Sequence, residues 1–204
     1  SRRRQRQMCI RDRACIVWAR REWEVVESDA FGAASDACIL NVIYSLEHGG
    51  AESQLSYLAS GLARRGVEIH VLCMTAESER SRNENRLRDA GVHVHRLPQA
   101  SAYDLRTIGR IRRVIRELRP TFVQTWLTLM DFMGGAACIA EGATWVLSER
   151  NAAPVPMTDY KSRLVRVLAR RGRAVIANSR RGADLWQGRF DASCRHCLLY
   201  TSDA

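Results

Sequence analysis

From about residue 37 to residue 188 the chain alternates between two spacings of apolar residues. Short, nearly continuous apolar runs read as buried strands. There are six: "ACILNVIY" (37–44), "VEIHVLCM" (67–74), "VHVHRL" (92–97), "TFVQTW" (121–126), "ATWVLSER" (143–150) and "RAVIANS" (173–179). The stretches between them carry helical spacing. Residues 51–66 place Leu55, Leu58, Ala59, Leu62 and Ala63 on one face, with Gly66 as the stop. Residues 77–91 form a polar helix or loop ending at Gly91. Residues 103–119 put Leu105, Ile108, Ile111, Ile115 and Leu118 on one face, and Pro120 ends that helix. Helices are also predicted over 129–141, closed by Gly142, and over 159–172, with another beginning at 180.

Strand and helix alternate throughout. That is the pattern of an α/β protein, a doubly wound parallel sheet of the Rossmann-like type with predicted strand order 3-2-1-4-5-6. Ligands of such sheets bind beyond the carboxyl ends of the strands, at the switch point between the first and fourth strands. At that end of the first strand the sequence reads His48-Gly49-Gly50-Ala51. Glycine there allows positive φ and close backbone approach, and the first turn of the next helix offers unpaired N–H groups. Gly49, Gly50 and Ala51 are therefore predicted to bind a phosphate or diphosphate. Glu52 sits awkwardly for that role. The spacing matches neither G-x-G-x-x-G nor the P-loop.

The other strand ends deliver polar groups to the same edge. Trp126 and Asp131 follow the fourth strand. Glu149, Arg150 and Asn151 follow the fifth, and Asn178 and Ser179 the sixth. Hydroxyl, amide, carboxylate and guanidinium beside an aromatic ring suit a polyhydroxylated ligand. Each has a blander alternative: Asn178 or Ser179 as a helix cap, Glu149–Arg150 as an ion pair, Trp126 as core.

Charge changes the picture modestly. The net charge is +10, carried almost wholly by arginine, with Lys161 the lone lysine. Such a chain favours anionic partners without choosing among them. Six arginines (106, 110, 112, 113, 116 and 119) line the helix at 103–119, so a peripheral anionic membrane is a candidate partner. No nucleic-acid motif is present, so nucleic acid is not expected as a partner. No run is long and apolar enough to span a membrane, and no signal peptide is apparent, so a cytoplasmic location is expected. The seven cysteines are irregularly spaced and form no disulfide framework. Cys38, Cys73 and Cys138 read as small core residues, and Cys194-x-x-Cys197 has no second pair of zinc-finger spacing. No metal site is predicted.

Residues 1–36 and 190–204 carry no sustained period. "QMCIRDR" and "CLLYTSDA" resemble translated sequencing adapter, which implies non-native or disordered tails around one domain at 37–189. A natural basic arm is the alternative for the first.

"LEHGGAESQLSYLASGLARRGVEIHVL", "IRELRPTFVQTW", "VLSERN" and "AVIANS" resemble the N-terminal half of a family-4 glycosyltransferase, one half of a GT-B fold, over residues 38–188. The resemblance implies two Rossmann-like domains facing across a cleft. The first would be the acceptor side, with its glycine loop reaching the donor diphosphate. The second would hold most of the nucleotide sugar, and the sequence is read as lacking it. It implies retention, no metal or other cofactor, a nucleotide-sugar co-substrate, and a polysaccharide or lipid-linked acceptor. Many relatives carry histidine where this chain has Gln124-Thr125-Trp126 and near Arg150, so a histidine's role is not carried over. A different class of function also fits: a non-catalytic Rossmann-like module docking a partner or anionic membrane through the arginine-rich helix.

Overall fold

The computed structural model describes residues 14–19, 22–27, 37–47, 49–75, 81–97, 104–150, 160–177 and 195–198. In chain order the elements are β1 (Ala14–Ala19), β2 (Glu22–Glu27), β3 (Cys38–Ile43), α1 (Gly50–Ala63), β4 (Glu68–Cys73), α2 (Arg82–Asp89) and β5 (His93–Arg96). There follow α3 (Arg106–Leu118), β6 (Phe122–Trp126), α4 (Thr128–Glu141), β7 (Trp145–Glu149), α5 (Tyr160–Ala169), β8 (Ala174–Ala177) and β9 (Arg195–Leu198).

One sheet runs β2-β1-β9-β8-β7-β6-β3-β4-β5. Strands β3 to β8 pair in parallel, and from β5 to β8 their order is the expected 3-2-1-4-5-6. The sheet then continues where the sequence shows no period. β9 joins β8 in parallel, and the antiparallel pair β1–β2 closes that side.

Alternation along each strand divides the core into two layers. Ile39, Ile43, Ile69 and Val71 face α1 and α2, where they meet Leu55, Ala59 and Leu87. Leu40, Val42 and Leu72 face the other helices and meet Ile111, Ile115, Met133 and Val165. Both faces of the central strands are covered, which is why those strands are largely apolar, with Asn41, His70, Gln124 and Thr125 as buried polar exceptions. The face expected on α3 holds with one change at its start. Ile111 and Ile115 are buried, but Leu105 lies ahead of the helix and is 62% exposed, and Thr107 is buried in its turn.

Helix α4 lies unusually close to the sheet. A Cβ at Gly135 would come within 2.4 Å of the Trp145 ring, and one at Gly134 within 2.7 Å of Thr125 Cγ2. These glycines are packing devices that let helix backbone rest on an indole. The helix ends at Gly142, whose φ of 65° is a left-handed stop that suits glycine.

Candidate functional site at the switch point

β3 and β6 are neighbours whose following helices lie on opposite faces, so their carboxyl ends open the crevice expected of this topology. Three turns meet there. The first carries the glycines. Gly49 has φ 176°, an extended conformation any residue adopts, so the positive φ that glycine allows is not used there. The tightness has another source: a Cβ on Gly49 would lie 2.0 Å from Glu52 Oε2, because the Glu52 carboxylate folds back over it. Around the Cβ position of Gly50 there is open space to 4 Å. Both glycines are exposed and Ala51 is half-buried. Helix α1 has no side-chain N-cap, and its first intrahelical bond runs from Ser53 N–H to the Gly49 carbonyl (3.0 Å). The N–H groups of Gly50, Ala51 and Glu52 precede that bond, at the positive end of the helix dipole.

What holds this turn comes from elsewhere in the chain. Ser81 Oγ donates to the Leu46 carbonyl (2.6 Å), and Asn83 Nδ2 donates to the Glu47 carbonyl (2.7 Å). Asn83 Oδ1 in turn accepts from Ser56 on α1 (3.2 Å). Glu84, fully buried, accepts from Arg88 at 2.8 Å and from Arg96 of β5. Burial alone would raise that carboxyl, but the two arginines outweigh it and hold it below the ordinary range. The polar stretch 81–88 is thus a clasp tying the glycine turn to α1 and β5. Its sequence signal was Ser81-x-x-Glu84, a helix-start signature; the Ser81 side chain does accept from Glu84 N–H (3.2 Å).

The second turn leaves β6. Trp126 is fully buried, and its indole N–H donates to Asn41 Oδ1 of β3 (3.0 Å). The Arg150 guanidinium lies over its ring, 4.6 Å from the centroid. Trp126 is therefore the core residue of the two readings, covered by the Arg150 guanidinium. Leu127 follows with φ 70° and ψ 148°, a left-handed backbone rare outside glycine. Strain of this kind, roughly 1–3 kcal/mol, persists only where the surroundings dictate it.

The third turn leaves β7 with Glu149 and Arg150, both half-buried. Asp131 on α4 faces inward. Its Oδ1 accepts from Thr125 Oγ1 (2.6 Å), which accepts from Trp145 Nε1 (2.8 Å). Burial pushes the Asp131 carboxyl well above the carboxylate range. The Thr125 hydrogen bond opposes this, the Glu149 charge adds to it, and Arg150 opposes it. Asp131 fastens α4 to the sheet rather than lining the edge. On the opposite face Gln124 Nε2 donates to Ser148 Oγ (2.6 Å).

The structure thus brings Gly49, Gly50, Ala51, Glu149 and Arg150 to one edge, with Trp126 and Asp131 beneath them. Asn151, Asn178 and Ser179, and also His48, lie outside the described residues. On α3, Arg112 and Arg116 turn to Glu141 of α4 (2.6 and 3.6 Å), and Arg106 turns to Asp104 (3.1 Å).

A doubly wound parallel sheet with helices on both faces places the chain among the Rossmann-like α/β proteins. More narrowly, the chain belongs to glycosyltransferase family 4, whose model matches residues 48–198. Set against curated protein sequences, it has no match. Among solved structures it is similar in fold to Anabaena HepE in complex with UDP-glucose, with TM-score 0.63, 17% identity, and 80% of this chain against 44% of that one. It is also similar to a glycosyltransferase from Rickettsia africae (0.56, 15%, 78% and 42%). A third is the Staphylococcus aureus MnaA–UDP structure (0.54, 17%, 78% and 42%). The chain spans less than half the length of each.

Proposed function

We propose that this domain is the acceptor-side lobe of a retaining, nucleotide-sugar-dependent glycosyltransferase of the hexosyltransferase type. The acceptor is a polysaccharide or lipid-linked glycan. The observation that carries the reading is the exposed Gly49–Gly50 turn: open space over Gly50, helix N–H groups behind it, and Arg150 across the crevice. When a glycosyl–phosphate bond breaks, negative charge grows on the departing diphosphate. Preorganised N–H donors and a nearby guanidinium stabilise that charge without a metal or other cofactor at the reacting centre. In this reading Gly49, Gly50 and Ala51 meet the diphosphate. Glu149 and Arg150, with Asn151, Asn178 and Ser179, meet the sugar or acceptor, and Trp126 and Asp131 support them from below. Among the described residues no helix is long and apolar enough to cross a membrane. The reading places the protein in the cytoplasm, at the membrane face where a lipid-linked acceptor is presented.

UDP is the first probe, because HepE and MnaA are described in complex with it. In amide NMR of the full chain titrated with UDP and then UDP-glucose, the Gly49, Gly50 and Ala51 signals should shift saturably. Absence of shifts there, with binding of anionic vesicles intact, would replace this reading with the non-catalytic docking module.

A further inference from the structure

At the opposite, amino end of the sheet three side chains converge, one of them about thirty residues before the other two in sequence. Cys38 and Glu68 are register partners on β3 and β4, and His70 lies two residues beyond Glu68 on the same face. One ligand atom from each, Cys38 Sγ, a Glu68 carboxylate oxygen and a His70 ring nitrogen, lies within 4.8 Å of the other two. Among the described residues no other trio of histidine, cysteine and carboxylate does this.

We propose that Cys38, Glu68 and His70 form a binding site for a borderline-soft divalent cation of the Zn²⁺ class, separate from the crevice and independent of the reaction proposed above. A thiolate, an imidazole and a carboxylate suit that class; Mg²⁺ and Ca²⁺ select oxygen. A tetrahedral Zn²⁺ holds its ligand atoms roughly 3.3–3.6 Å apart. His70 Nε2 and Glu68 Oε1 already stand at 3.0 Å, and the Glu68 side chain is 56% exposed and able to move. The thiolate and carboxylate together neutralise the cation, and the Cys38 proton leaves to solvent as it binds.

The neighbours of His70 fit a ligand role. His70 Nδ1 stands 2.8 Å from His95 Nε2, while Nε2 hydrogen-bonds to Glu68 Oε1 at 3.0 Å; a cation takes the place of the Nε2 proton, and His70 then donates from Nδ1 to His95. Partners of this kind fix the ring and its tautomer at metal-bound histidines. The His93 ring stacks on His70 at 4.8 Å and sets its plane. The sequence hid this site because a strand-borne Glu-x-His and a cysteine on the next strand make no linear ligand motif.

The test is to titrate the full chain with Co²⁺ and follow absorption. One equivalent should produce thiolate-to-cobalt charge transfer in the near ultraviolet with tetrahedral d–d bands, which Zn²⁺ bleaches and Mg²⁺ does not. Cys38→Ser should abolish the charge-transfer band at unchanged circular dichroism. Glu68→Gln, at an exposed side chain that leaves folding intact, should weaken Co²⁺ binding. His95→Gln should weaken it by about 10–100-fold while keeping the thiolate band. A wild-type chain without the band, or a band undiminished in Cys38→Ser or in Glu68→Gln, overturns the site.

Discussion

At the level of single residues the two glycines of the turn have separate duties. Gly49 lies under the Glu52 carboxylate, whereas Gly50 stands at the start of a helix with room for a methyl group. Glycine in a helix is less favourable than alanine by up to about 1 kcal/mol. Glycine at a helix start where alanine fits leaves the backbone open to close approach by a ligand. Gly50→Ala should therefore leave stability unchanged or raise it by up to ~1 kcal/mol in urea unfolding, while lowering UDP affinity about tenfold or more. Equal UDP affinity in the variant would remove the turn from the binding site. Asp131 gives a pH signature. Its folded pKa lies above the ordinary 3.8, so the folded chain keeps a proton that the unfolded chain releases. The resulting stabilisation is full below about pH 4 and is lost as pH rises through the folded pKa. Asp131→Asn keeps an oxygen for Thr125 and carries no charge. Relative to this variant the wild type should lose unfolding free energy as pH rises from acid to neutral, the other titrating groups being common to both; parallel profiles would mean that Asp131 is not desolvated.

Among the elements, β3 to β8 and most helices were legible because apolar spacing is a property of the chain itself; β1, β2 and β9 lie where the chain shows no such spacing. Three buried positions on β6 and β7, Val123, Trp145 and Leu147, sit where that spacing put them. The polar stretch 77–91 was readable only as helix or loop, since its hydrophilic residues spend their hydrogen bonds on partners far away in sequence, Leu46, Glu47 and Ser56 among them. The site divided in the same way. The glycine turn and Arg150 were visible from their places at strand ends. The inward turn of Trp126 and Asp131 depends on Asn41 and Thr125, which periodicity cannot point to. Likewise nothing in "MGGAA" announces that Gly135 makes room for an indole. Gly135→Ala should cost about 1–3 kcal/mol by overpacking, measured by chemical denaturation. A neutral result would show that α4 can slide away from the sheet.

For the molecule as a whole, the net charge of +10 is not one free field. Arg112 and Arg116 are committed to Glu141, and Arg88 and Arg96 to Glu84, so the basic count overstates what α3 offers a surface. If the protein docks on acidic lipid through α3, exposed Arg113 should matter more than Arg112. Co-sedimentation with phosphatidylserine vesicles should fall about fivefold for Arg113→Gln, near 1 kcal/mol, and less for Arg112→Gln. Equal losses would point to a diffuse charge effect. The clasp at residues 81–84 bears on how such domains can be rearranged. The turn at 45–50 takes its shape from side chains some thirty-five residues downstream, reached across β4. A chimera of two relatives joined anywhere between those segments inherits its turn from one parent and its clasp from the other. Specificity exchanged in such a domain should therefore travel as the block 38–97, since the loop alone arrives without the residues that hold it.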